Sequence, residues 1–207
     1  MGPLGLILAG GLGRRMGGLD KSLLTLGGRT LLERVAGRLA PQCPAGLVLS
    51  ANGDTARFGE SFTGPVLPDT VPGYRGPLAG ILAGLDHCAA QHPEVEHVLS
   101  APGDTPFLPD DLASRLLAAR ATGNGSAIAL AASGGRQHYT MALWPVALRV
   151  DLRQALVERG ERRVGAFIAR HGAAVAEWPV DARDPFLNVN TPEELAAAEA
   201  WIDPRST

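Results

Sequence analysis

Short apolar runs alternate with amphipathic stretches along the whole chain. Residues 4–9 (LGLILA) form an apolar run that stops at Gly10-Gly11, the pattern of a buried strand. Residues 46–50 and 66–67 are further strand candidates, the second ending at Pro68-Asp69. Residues 97–101, 127–132, 139–144 and 173–178 complete the set. Helical periodicity lies between them. Within residues 30–39, Leu31, Leu32, Val35, Ala36 and Leu39 fall on one face. Residues 77–88 are small or apolar nearly all round, which predicts a well-buried helix. Residues 109–120 predict a helix with Asp110 and Asp111 in its first turn, where acids favour the dipole. Residues 148–158 and 164–170 also read as helical. The last helix starts at Thr191, with Pro192 at the first helical position and Glu194 at capping-box spacing.

Strands alternating with helices predict an α/β fold: a three-layer α/β/α, Rossmann-like domain with a mainly parallel sheet. Right-handed crossovers then gather the strand carboxyl ends on one edge, where ligands bind near a topological switch point. The unusual residues of this chain follow strand ends: residues 10–15, Asn52, Asp69 and Asp104. The length of 207 residues fits one domain covering 1–207.

Composition narrows the function. Hydrophobic residues at 45% and charged residues at 19% exclude wholesale disorder. A net charge of -2 excludes the basic footprint of a nucleic-acid binder, so an anionic ligand must be held by local groups. Cys43 and Cys88 form neither a CxxC pair nor a zinc spacing and read as buried, reduced thiols. No apolar stretch approaches the roughly 18 residues of a membrane span, and residues 4–9 lack a basic lead-in. The expected location is the cytoplasm, with no membrane partner.

The first strand runs into a glycine-rich loop that carries Arg14, Arg15 and, further on, Lys21. Glycines let backbone N–H groups approach an anion, arginine supplies forked donors, and lysine supplies a compact charge. That combination at a strand end reads as a phosphate site. It is not a Walker A loop, because Gly18 stands three residues before Lys21. Nor is it the dinucleotide fingerprint, whose third glycine would fall at Met16.

The loop, LAGG-x-G-R-R-M-G-G-x-D-K from Leu8 to Lys21, resembles the opening signature of the molybdenum cofactor guanylyltransferases. These belong to the nucleotidyltransferases with a Rossmann-like fold. Other segments resemble the family in order: Pro68-Asp69, then Gly76-Pro77-Leu78-Ala79-Gly80, Pro102-Gly103-Asp104-Thr105-Pro106, Gly160-Glu161-Arg162-Arg163-Val164 and Asn188-Val189-Asn190-Thr191-Pro192. The resemblance implies transfer of GMP from GTP to a molybdopterin form of the cofactor, with release of pyrophosphate and with Mg²⁺ as cofactor. It also implies transient contacts with other proteins of cofactor assembly and with acceptor enzymes. Relatives that use CTP or activate sugar phosphates commonly read LAAG, so Gly11 favours guanine. A cytidylyl or sugar-phosphate nucleotidyltransferase stays the nearest alternative, and a non-catalytic GTP-binding adaptor is the alternative of a different class.

Residue roles follow from the matching positions. Asp104, a carboxylate among prolines at a strand end, reads as the metal ligand and a nucleotide contact. Lys21 and Arg15 read as phosphate ligands that join Asp104 in catalysis, while Arg14 has no firm role. Leu8, Ala9, Gly10, Gly11 and Gly13 would wrap the nucleotide, with Ser50, Asn52 and Asp69 beside it. Ser50 stands where many members carry asparagine. Asp69 either accepts from the guanine edge or braces its loop. Gly76, Gly80, Arg162, Arg163, Asn188 and Asn190 are the candidates for the pterin substrate. For the arginines, a solvated helix start is an equal alternative. For the two asparagines, it is a polar lead-in to the Thr191 cap. His87 and His138 lack metal-ligand companions and read as packing or surface residues, and Trp144, Trp178 and Trp201 as core.

Overall fold

The computed structural model describes residues 2–9, 20–73, 76–123 and 127–202. Its strands are β1 (Leu4–Leu8), β2 (Thr25–Leu26), β3 (Arg29–Thr30), β4 (Leu47–Ser50), β5 (Val66–Leu67), β6 (His97–Pro102), β7 (Ile128–Ser133), β8 (Arg136–Pro145) and β9 (Ala173–Trp178). Its helices are α1 (Leu31–Leu39), α2 (Pro77–Gln91), α3 (Leu112–Thr122), α4 (Arg149–Val157), α5 (Val164–His171) and α6 (Pro192–Glu199). Seven strands form one sheet in the order β5-β4-β1-β6-β8-β7-β9, while β2 and β3 make a separate antiparallel hairpin.

β1 runs parallel to both β4 and β6, so the strand order reverses at β1 and opens the crevice where ligands of such sheets bind. β8 is antiparallel to β6 and to β7. The reversal has a local cause. Gly134 and Gly135 have φ of 54° and 75° and close a two-residue hairpin between Ser133 and Arg136, a turn that side chains with a Cβ resist. The amino end of β8 therefore lies on the edge that holds the carboxyl ends of its neighbours.

Alternation along β1 explains the three layers. Leu4 and Leu6 pack with Leu78, Leu82, Trp144, Leu152 and Phe167, the side covered by α2, α4 and α5. Ile7 faces the other way, against Leu32, Val35, Leu112 and Leu116 of α1 and α3. A smaller cluster joins Leu26, Leu31, Phe107, Val189 and Ala198, and it anchors the hairpin and α6 beside the sheet edge. Both capping boxes form: Thr30 with Glu33, and Thr191 with Glu194. Cys43 and Cys88 are buried and free. No helix among the described residues is long and apolar enough to cross a membrane.

Two expectations need correction. The third helix begins at Leu112, so Asp110 and Asp111 precede it and do not occupy its first turn. Asp111 is the N-cap, its carbonyl accepting from Arg115 N at 3.0 Å, and Asp110 lies one residue further out. Both acids have tertiary partners: Asp110 accepts from Arg38, and Asp111 Oδ1 accepts from the indole N–H of Trp178 at 2.8 Å. Trp201 is not core; it is 38% exposed and stands edge-on to Phe107. Trp144 and Trp178 are buried as expected.

Gly80 of α2 is the closest helix-to-sheet approach that bears on the site. A Cβ there would lie 2.4 Å from Ser50 Oγ and 3.1 Å from Leu8 Cδ2. Gly80→Ala is expected to cost about 1–3 kcal/mol through overpacking, read from the urea midpoint. Adding Ser50→Ala should return part of that loss, because the two sites share the contact. An unchanged midpoint for Gly80→Ala would contradict this packing.

Candidate active site

Three strand ends converge on the crevice. Ala9 N donates to Ser50 O at 2.9 Å and Gly103 N donates to Leu8 O at 2.9 Å, which ties β1, β4 and the segment after β6 together. Leu8, Ala9, Ser50 and Asp104 are thus neighbours, as the sequence predicts. Gly10, Gly11, Gly13 and Arg15 lie outside the described residues.

Lys21 opens a short 3₁₀ turn, Lys21–Leu23, whose cap is Asp20. Asp20 Oδ1 accepts from Ser22 N at 3.2 Å and from Ser22 Oγ at 2.8 Å, while its other oxygen receives Arg57. The turn is therefore fixed before any ligand arrives. Lys21 Nζ donates to Asn190 Oδ1 at 2.9 Å. Asn188 Oδ1 accepts from Thr105 Oγ1 at 2.9 Å, and Val189 N donates to Asp104 O at 2.9 Å. These bonds lay the Asn188–Asn190 segment against the Asp104 turn, joining residues far apart in sequence.

Asp104 is the electrostatic centre. Its Oδ1 is buried without a hydrogen-bond partner among the described residues. Burial pushes its carboxyl above the usual range, Lys21 works against that, and Asp20 and Glu194 add smaller upward pushes. A buried carboxylate oxygen with no donor is costly unless a cation meets it. This is the fit expected of a Mg²⁺ site built from one protein carboxylate and ligand phosphates. Among the described residues no cluster of three His, Cys, Asp or Glu competes as a metal site.

On the other flank of β1, Asn52 and Asp69 brace each other. Asn52 Nδ2 donates to Asp69 Oδ2 at 2.8 Å and Asp69 N donates to Asn52 Oδ1 at 2.9 Å. Burial raises the Asp69 carboxyl and the Asn52 bond opposes it. Arg57, absent from the sequence reading, bridges Asp20 and the Asn52 carbonyl and so joins the two halves of the crevice.

A cavity of about 790 Å³ opens next to this centre. Arg163, Asn188 and Asn190 line it, so three of the six pterin candidates gather there. Arg162 is exposed and outside the lining, with its amide on Glu161. Gly76 stands at the N-terminus of α2, and Gly80 faces Ser50, so neither borders the cavity. The sequence reading missed the wall that β8 supplies, including Arg136, His138 and Tyr139, and it missed Asp184 and Phe186.

A crevice at the switch point, with a buried carboxylate near a fixed lysine, fits a nucleotidyltransferase of the α/β kind. Comparison with known proteins gives the family. The model of the MobA-like NTP transferase domain matches residues 5–175. A molybdenum cofactor guanylyltransferase of Rhodopseudomonas palustris strain HaA2 is 56% identical over 197 residues, 95% of this chain and 91% of the relative. One from Rhizobium meliloti is 48% identical over 205 residues, 97% of this chain and 92% of the relative. The crystal structure of molybdopterin-guanine dinucleotide biosynthesis protein A from Archaeoglobus fulgidus has the same fold at 22% identity, with a TM-score of 0.70 over 96% of this chain and 97% of that one. The chain belongs to the MobA-like NTP transferase family and, within it, to the molybdenum cofactor guanylyltransferases.

The raised carboxyl of Asp104 has a stability consequence with a definite sign. Its folded-state value lies above the unfolded one, so its contribution is fully present below the unfolded value, about 4, and is lost as pH rises through the folded value. Asp104→Asn should remove that loss, leaving the metal-free variant at neutral pH at least as stable as the wild type. Thermal unfolding from pH 4 to 8 in chelator checks this; a variant less stable at neutral pH would contradict it.

Proposed function

We propose that this chain transfers GMP from GTP to the terminal phosphate of molybdopterin, the phosphate-bearing pterin of the molybdenum cofactor, giving molybdopterin guanine dinucleotide and pyrophosphate. The observation that carries the proposal is the buried oxygen of Asp104, unpartnered among the described residues, near Lys21 and linked through Asn188 and Asn190 to the cavity that these two line. The names of the relatives at 48–56% identity support the same reaction.

The chemistry asks little of the protein beyond placement. An oxygen of the acceptor's phosphate attacks the α-phosphorus of GTP. A new P–O bond forms there, and the bond from the α-phosphorus to the bridging oxygen breaks, with its electron pair leaving on pyrophosphate. A phosphate monoester is already a nucleophile at pH 7, so no general base is required. Asp104 is the residue that would hold Mg²⁺, whose chemistry is to neutralise charge on the triphosphate. Lys21, kept in place by Asn190 and the Asp20 cap, offers a second positive charge to the same phosphates. Arg15 and the backbone of the loop holding Gly10, Gly11 and Gly13 complete the phosphate site. Ser50, Asn52 and Asp69 flank the base, and the mutual bracing of Asn52 and Asp69 keeps that edge preorganised. Asn188, Asn190 and Arg163 receive the acceptor. The reaction takes place in the cytoplasm, where GTP is at hand, with transient contacts to the enzymes that use the product.

The test is pyrophosphate release from GTP and molybdopterin with Mg²⁺. The expected result is turnover with GTP and little with CTP. Asp104→Asn should lower kcat by about 10³-fold or more, and Lys21→Ala should raise the KM for GTP by about tenfold or more. Equal turnover with CTP would reject the guanylyl assignment. Near wild-type turnover of Asp104→Asn at saturating Mg²⁺ would reject the role of Asp104.

A further inference from the structure

The cavity beside Asp104 contains a hydrogen-bonded relay that the reaction as described does not use. Ser133, at the end of β7, is buried, and its Oγ donates to Asp184 Oδ1 at 2.8 Å. The same Oγ lies 2.7 Å from Nε2 of His138, near the start of β8. Asp184 Oδ1 also accepts from Phe186 N at 2.9 Å. The single hydroxyl proton of Ser133 is thereby committed to Asp184. The serine oxygen is then left to accept, which fixes the imidazole proton on Nε2. The ring is also held by packing. His138 lies against Phe186 with centroids 4.8 Å apart, and Phe186 stands edge-on to Trp178 at 5.2 Å.

The ring's other nitrogen, Nδ1, remains for the cavity that His138 lines. The charged groups that face it are Asp184, Arg136 on β8 and Glu177 on β9. Burial is the largest influence and lowers its pKa; Arg136 acts in the same direction, while Asp184 and Glu177 oppose it. The ring is neutral at pH 7, so Nδ1 is a bare acceptor that calls for an N–H donor on the ligand. The rest of this wall supplies the edges of Tyr139 and Phe186 and the guanidiniums of Arg136 and Arg163, which suits a flat, polar-edged ring. A register shift in the β7–β8 pairing leaves residues 139–141 without partners on β7, and this turns that stretch of β8 toward the cavity.

We infer that His138 is a specificity-determining residue for the acceptor substrate: its Nδ1 receives a hydrogen bond from a ring N–H or amino group of the acceptor's heterocycle, with Ser133 and Asp184 as positioning residues. The inference rests on the guanylyl-transfer reading. That reading puts the acceptor's phosphate beside Lys21 and Asp104, and so puts its heterocycle in the remainder of the cavity.

Two substitutions separate recognition from mere support. Gln at 138 can still reach Ser133 with a donor but carries no acceptor at the Nδ1 position. Asn at 138 places its carbonyl oxygen near Nδ1 but cannot reach Ser133. Steady-state pyrophosphate release is measured with molybdopterin and GTP varied in turn. The expected result for His138→Gln is a KM for molybdopterin raised about tenfold, with kcat and the KM for GTP within about twofold of wild type. His138→Asn should recover part of the loss. An unchanged molybdopterin KM in His138→Gln would overturn the inference while leaving the proposed function standing. So would equal rises in both KM values for both variants, the mark of a disturbed Asn188–Asn190 segment. No turnover by the wild type would overturn the proposed function and the inference together.

Discussion

The site is organised around one buried carboxylate. Asp104 Oδ1 is withdrawn from solvent without a hydrogen-bond partner among the described residues, and the backbone around it is fixed from two sides, by Gly103 N on the Leu8 carbonyl and by Val189 N on its own carbonyl. These bonds hold the Asp104 backbone at the strand end and so fix where its side chain starts. The fold bears a destabilising desolvation here that a bound cation relieves. Lys21 offsets part of it from a distance, but its ammonium is bonded to Asn190 and leaves Oδ1 open. In the proposed reaction, this arrangement would exchange stability of the empty protein for affinity toward a nucleotide that arrives with its metal.

The reversed strand gives the site its second half. A parallel β8 would have sent residues 136–138 to the opposite edge of the sheet. The Gly134–Gly135 turn returns them to the edge where Asp104 sits, so His138 and Arg136 face the same cavity as Asn188 and Asn190. The Asp104 turn follows a parallel strand, while the antiparallel strand supplies one wall of the cavity. Asp184 links the two, since it holds Ser133 of β7 and opens the loop that delivers Asn188 and Asn190.

The parts visible in sequence were those with local causes. The run at residues 4–9, the Thr30 and Thr191 caps and the small-residue helix from Pro77 all have short-range signatures, and each stands where its pattern puts it. The Asp104 turn and Lys21 were singled out through spacing and resemblance, and the structure brings them close together. What stayed hidden depends on pairing. Nothing local in residues 139–144 distinguishes an antiparallel strand from a parallel one. With a mainly parallel sheet expected, His138 lacked visible partners and read as packing. Asp110 and Asp111 look like helix-start acids until Arg38 and Trp178 are seen to claim them. Arg57 bridges to Asp20 over 37 positions, beyond any periodic signal.

The most direct measurement is a crystal structure with GTP and Mn²⁺, read by the anomalous signal of the metal. A manganese peak is expected within coordination distance of Asp104 Oδ1 and of GTP phosphate oxygens, with Lys21 turned to the same phosphates. Nucleotide bound in the crevice with the metal elsewhere, and Asp104 Oδ1 still without a partner, would contradict it.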